Sequence, residues 1–194
     1  GPAAIRTPRA EATSLTGATG TAVSFSIGQA EVLQEGNEVG LLAVGSMVSR
    51  AMGVAAELAG RGISARVVNA RFIKPLDEET ILETARQVKH LFTIEEHVRS
   101  GGFGSAVIEL LEDRRIGTPV TVLGLPDEFM EHGSSEQLLH DFGLSQETIL
   151  SRILAETRLK TQSPASPVLA VEPTILREAI QRVQEQDLPA ELNA

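Results

Sequence analysis

Between residues 27 and 157 the chain alternates between two hydrophobic patterns. Short, nearly unbroken apolar runs predict strands at residues 29–33, 39–44, 63–72, 91–94 and 119–123. The run from Val39 to Val44 carries no polar side chain, the mark of a strand covered on both faces. Stretches of 3.6-residue period lie between the runs and predict helices. Residues 47–60 are apolar on most sides and carry only Arg50 and Glu57. Ser46 is expected to cap that helix, and Gly60 with Gly62 to end it. Ile81, Leu82, Ala85 and Val88 stripe a second helix behind Asp77, with Glu78 and Glu79 suiting the positive end of its dipole. Phe103, Ala106, Val107, Leu110 and Leu111 line one face of a third. Ser134 with Gln137 forms a capping box for a short helix that ends at Gly143. Ser145 caps a last helix, with Ile149, Leu150, Ile153 and Leu154 inward.

Strands alternating with helices predict a three-layer α/β/α domain around a mostly parallel sheet of about five strands. Glu35-Gly36-Asn37 reads as a hairpin turn between the first two strands, so one edge strand should run antiparallel. The domain is expected to span residues 27–160. Residues 1–26 precede it as the end of a strand, a basic turn holding Arg6 and Arg9, and a linker rich in Ala, Thr, Ser and Gly. Residues 161–167 read as a second linker. Residues 174–186 form one more amphipathic helix, with Ile175, Leu176, Ala179, Ile180 and Val183 on one stripe. A lone helix of that length is marginal in water, so this one is expected to dock weakly.

Composition narrows the chemistry. The net charge of −9 argues against a nucleic-acid surface. The absence of cysteine removes disulfides, thiol nucleophiles and thiolate metal sites, and fits a reducing compartment. With no Trp or Tyr, the core must be aliphatic. No apolar run is long enough to span a membrane. The chain begins Gly1-Pro2 rather than with Met, which suggests a tagged chain, a processed one, or a piece of something longer.

The stretch richest in candidate chemistry is residues 93–111, a strand, a glycine turn and a helix. Glu95, Glu96 and His97 stand where the strand gives way to Ser100-Gly101-Gly102-Phe103-Gly104. In open α/β sheets this end of the strands is where ligands and partners meet the fold. Successive strand residues face opposite ways, so Glu95 and Glu96 make a poor acid/base pair. The turn is not G-x-G-x-x-G, because Val107 stands where the third glycine belongs, and it is not a P-loop. His97 has no second histidine near it, so no metal site is expected. No catalytic residue is assigned. Glu96, His97, Gly101, Gly102, Phe103 and Gly104 are expected instead to form a turn that faces another subunit or domain. Phe129 and Met130 are expected to act as apolar anchors in the long loop of residues 124–133.

Five segments together resemble the C-terminal domain of the transketolase family, and most closely its 1-deoxy-D-xylulose-5-phosphate synthase branch. They are Gly-Pro-Ala-Ala-Ile-Arg-Thr-Pro-Arg (1–9), Ile-Gly-Gln-Ala-Glu-Val-Leu (27–33), Asn-Ala-Arg-Phe-Ile-Lys-Pro-Leu-Asp (69–77), Glu-Glu-His-Val-Arg-Ser-Gly-Gly-Phe-Gly-Ser-Ala-Val (95–107) and Leu-Gly-Leu-Pro-Asp-Glu-Phe-Met-Glu-His-Gly (123–133). The resemblance covers about residues 1–157. It makes residues 1 to about 10 the tail of a preceding pyrimidine-binding domain. It implies an enzyme that uses thiamine diphosphate and Mg2+ to decarboxylate pyruvate and join the two-carbon unit to glyceraldehyde 3-phosphate, towards isoprenoids and thiamine. The family's Gly-Asp-Gly cofactor motif is absent from this chain, and so is the domain that supplies the activating glutamate. The resemblance therefore implies a C-terminal portion that serves assembly, binds no cofactor itself and is inactive alone. Its partners would be the missing N-terminal domains or a second copy in a homodimer, in the cytoplasm or, for a plant-like source, a plastid. Arg9, with Arg6 as runner-up, matches the family arginine that helps hold the substrate phosphate. Two alternatives remain open: a free-standing binding or regulatory module, and the β subunit of a 2-oxoacid dehydrogenase.

Overall fold

Val39, Leu41, Leu42 and Ala43 have no solvent exposure, because their strand, β2 (Val39–Ala43), is the middle one of a five-stranded sheet covered on both faces. The computed structural model describes residues 2–5, 26–129 and 132–162, with side chains up to Thr157. Arg6, Arg9, Met130, the expected linker beyond residue 162 and the helix at 174–186 lie outside the described residues. The chain divides into two units, Gly1–Arg158 and Leu159–Ala194.

β2 pairs in parallel with β3 (Ala65–Asn69) on one side and with β4 (His90–Val98) on the other. β4 pairs in parallel with β5 (Val120–Leu125), and β1 (Glu31–Gln34) runs antiparallel along the outer edge of β3. The strand order is β1-β3-β2-β4-β5. Alternate residues sort the core into two layers. Leu41, Val67, Phe92 and Ile94 face α1 (Met47–Ala59), α4 (Ser135–Asp141) and α5 (Gln146–Gln162). Leu42, Val68 and Leu91 face α2 (Glu78–Gln87) and α3 (Phe103–Asp113). The expected α/β/α architecture with one antiparallel edge is what the chain adopts.

The expected hairpin is not formed. β1 is separated from β2 by β3, so residues 35–38 carry the chain across the end of β3 instead of folding it back. A Cβ on Gly36 would lie 2.2 Å from the carbonyl carbon of Ala65, so only glycine lets the loop pass that close. The backbone N–H groups of Glu38 and Val39 both donate to the carbonyl of Ser64. Arg66, 3% exposed, pairs with Glu35 and donates to Gln87 at 2.7 Å, fixing the crossing from the side. Two strands depart most from their expected lengths. β3 stops at Asn69 because the chain turns at Arg71, which holds a left-handed φ of 54°. β4 runs on to Val98 through a register shift after Ile94 against β5.

Candidate functional site

The sheet reverses its winding at β2 and β4. The chain leaves β2 through α1 and leaves β4 through α3, and these helices lie on opposite faces. The two loops therefore part at the carboxyl ends of these neighbouring strands, the place where open α/β sheets form a crevice. Ser46 and Glu96 stand across it, the Ser46 hydroxyl donating to Glu96 Oε2 at 2.6 Å. Ser46 has helical backbone angles, φ −58° and ψ −24°, and makes no side-chain cap to α1, contrary to expectation. Its hydroxyl serves the crevice instead.

Glu95, on the other face of the strand, is only 1% exposed. Its Oε2 accepts the N–H of Phe103 at 2.7 Å and its Oε1 accepts the N–H of Gly104 at 2.8 Å. These are the unpaired donors at the start of α3, where the helix dipole also favours negative charge. The glycine turn thus has the donors of an anion-binding loop, and its own chain supplies the anion. Gly102 and Gly124 make room for that side chain, and Gly104 for the strand behind it. A Cβ on Gly102 would meet Glu95 Oε2 at 2.5 Å and the Val98 carbonyl oxygen at 2.4 Å. One on Gly104 would meet Thr93 Oγ1 at 2.5 Å, and one on Gly124 would meet Glu95 Cγ at 3.1 Å. Ser105 closes the turn from the solvent side, donating to the Arg99 carbonyl at 2.7 Å and accepting from Gly101 N at 3.1 Å.

The residues expected at an interface therefore divide. Gly102, Phe103 and Gly104 are buried within this chain. His97, Arg99, Ser100 and Gly101 present the exposed face of the turn, and Glu96 is half-buried. Beside Glu96 opens a cleft of about 250 Å³ lined also by Leu125, Gly133, Ser135, Leu138 and Leu139. Phe129, expected to anchor the neighbouring loop, is instead fully exposed.

Two further residues stand at this end of the sheet, one with no expected role and one with a role beyond its expected cap. Arg71 follows β3, its guanidinium 2.5 Å from Glu31 Oε2 and its N–H donating to Asn69 Oδ1 at 3.2 Å. Asp77 does more than cap α2. Its Oδ1 accepts Thr80 N at 3.0 Å, while Oδ2 accepts the Thr80 hydroxyl at 2.9 Å and the N–H of Ala30 at 2.8 Å. Burial pushes this carboxyl up, but the hydrogen bonds from Thr80 and Ala30 together outweigh it and hold it below its ordinary value. The signal for both is positional: each stands just past the β3 strand, in the segment 69–77 that carries part of the family resemblance.

Among the described residues no three His, Asp or Glu side chains come close enough to hold a metal. The amides at the start of α3 are taken by Glu95.

Comparison with known proteins places this geometry. Residues 28–149 match the model of the transketolase C-terminal domain. A 1-deoxy-D-xylulose-5-phosphate synthase from Pelotomaculum thermopropionicum is 50% identical over 158 residues, covering 79% of this chain and 24% of that protein. Another from Caldanaerobacter subterraneus subsp. tengcongensis is 45% identical, with 79% and 24% coverage. The chain thus spans about a quarter of the length of these curated relatives. Among solved structures, a split gene transketolase described as an inactive β4 tetramer superposes with a TM-score of 0.63 at 36% identity, covering 69% of this chain and 42% of that one. Among the described residues no helix is long and apolar enough to cross a membrane. With residues 28–149 matched on this five-stranded sheet, this chain belongs to the transketolase C-terminal domain family.

Proposed function

We propose that this chain is the C-terminal portion of a thiamine-diphosphate-dependent 1-deoxy-D-xylulose-5-phosphate synthase, a transferase, and that it serves assembly rather than the chemical step. Identity of 50% with one such synthase, along 79% of this chain, carries the reading. The closed glycine turn supports the second half of it, since the amides that could hold a phosphate are already used. On this reading thiamine diphosphate and Mg2+ are held by the upstream domains of the complete enzyme. The partner is those domains or a second copy of the chain in a homodimer, in the cytoplasm or a plastid. The turn contributes through its exposed side, His97, Arg99, Ser100 and Gly101, while Gly102, Phe103 and Gly104 hold its shape. The split-gene transketolase relative, an inactive β4 tetramer, supports assembly without activity for a chain of this kind.

The test is an assay of the purified chain with pyruvate, glyceraldehyde 3-phosphate, thiamine diphosphate and Mg2+. No product is expected from the chain alone. Product is expected from a chimera in which residues 1–157 replace the matching segment of a full-length relative. Turnover by the isolated chain, or an inactive but folded chimera, would overturn the reading. In the same chimera Arg9, with Arg6 as the second candidate, belongs to the substrate-phosphate site. A charge-assisted bond of about 1.5–3 kcal/mol makes Arg9→Ala lower kcat/KM for the phosphorylated aldehyde by roughly tenfold to a hundredfold. The effect on the KM for pyruvate should be small.

A further inference from the structure

The core layer under α1 and α4 ends in a cleft and a carboxylate. Leu125 and Leu139 are buried members of that layer. With half-buried Leu138 they line the cleft of about 250 Å³ beside Glu96, and Ser135 adds a hydroxyl to its wall. Glu96 is half-buried, and the Ser46 hydroxyl bonded to its Oε2 at 2.6 Å fixes its direction. The assembly role assigned above uses the glycine turn and leaves this cleft without a task.

We propose that the cleft binds a small organic cation, an ammonium group on a short apolar body, with Glu96 holding the charge and Leu125, Leu138 and Leu139 the body. The size of the cleft sets the size of the ligand. It is smaller than the roughly 300–1,000 Å³ of ordinary small-molecule pockets, so it suits a molecule of a few heavy atoms. Charge decides the head group. Arg50 of α1 is engaged by Glu136 of α4 at 2.7 Å. The loop that leaves the cleft at Leu125 and returns at Gly133 carries Asp127 and Glu128, both exposed. A carboxylate accepts several hydrogen bonds at once, so an ammonium joins the Ser46 hydroxyl on Glu96 without displacing it. A half-buried pair of this kind is screened less than one in open water. A carboxylate already oriented also loses little freedom on binding. The inference stands on the cleft alone and is independent of the synthase reading.

A titration of the full chain with n-butylammonium tests it, followed through the methyl NMR signals of the leucines. Those of Leu125, Leu138 and Leu139 should move together and saturate, while those of Leu82, on the other side of the sheet, stay in place. n-Butanol has the same body without the charge, and butyrate carries the opposite charge. Both should bind at least about tenfold more weakly than n-butylammonium. Glu96→Gln should weaken n-butylammonium binding by a similar factor. Added NaCl should weaken the binding of n-butylammonium and leave that of n-butanol unchanged. Equal affinity for n-butylammonium and n-butanol overturns the proposal, as does undiminished binding of n-butylammonium to folded Glu96→Gln. So does a response that never saturates or that spreads to Leu82. Should Glu96→Gln fail to fold, the comparison of the three ligands on the parent chain still decides.

Discussion

At the scale of single residues, Glu95 sets the character of the site. A buried carboxylate that satisfies two helix-start amides is hard to replace. Glu95→Gln keeps the size but offers one acceptor and turns an NH2 group towards an N–H. With bonds to charged groups at roughly 1.5–3 kcal/mol each, this substitution should cost about 2–4 kcal/mol, read as a lower urea midpoint with unchanged slope. Gly104→Ala tests the same packing from the other side. Its methyl would press on Thr93 and Val122 at 2.5 and 2.6 Å, an overpacking cost of about 1–3 kcal/mol. Arg99→Glu, on the exposed face, should shift stability by no more than about 0.5 kcal/mol, so a loss of assembly in that variant would report contact rather than folding. Gly102→Asp cannot make this distinction, since the new carboxylate would collide with Glu95.

At the scale of elements, the strongest links are those that join segments distant in sequence. Asp77 caps α2 and holds the segment before β1, so Asp77→Ala should cost about 1–2 kcal/mol, in the range of a lost cap. Its pH dependence follows from its lowered titration. The carboxyl titrates below its ordinary value of 3.8 in the folded chain, so its contribution is complete above that value. It is lost as pH falls through the folded value. Wild type and Asp77→Ala should therefore keep a constant stability gap from pH 7 to about 5 and converge below about pH 4. Much of this level was legible in the sequence, because it is local. The Asp77, Ser134 and Ser145 caps follow from side chains reaching their own helix, with Ser134 accepting Gln137 N at 3.2 Å and Ser145 accepting Thr148 N at 3.2 Å. Ser46 broke the rule because a partner distant in sequence, Glu96, took its hydroxyl. The role of Glu95 went unseen for a related reason. Periodicity tells which way a side chain faces, and it carries no record of the amides waiting on that face. Phe129 looked like an anchor because it is apolar, yet nothing among the described residues covers it.

At the scale of the whole molecule, the alternation of strands and helices was enough to give the layers and the parallel core. The position of β1 was not readable. A short polar loop such as Glu35-Gly36-Asn37 looks the same whether it turns a hairpin or crosses a strand end, and only the close approach of Gly36 to Ala65 decides between them. That crossing has a consequence in time. β1 precedes β2 in the chain and would leave a ribosome first, yet the strand it pairs with comes after both β2 and α1. It has no sheet partner until β3 is in place, so it waits and closes the edge late. Kinetics should record the delay. Val32→Ala, opposite Val68 in β3, should destabilise by about 1 kcal/mol, with nearly all of that appearing as faster unfolding, roughly fivefold. Stopped-flow refolding of the variant should match the parent. A comparable loss in the refolding limb would mean that β1 and β3 meet before the barrier is crossed.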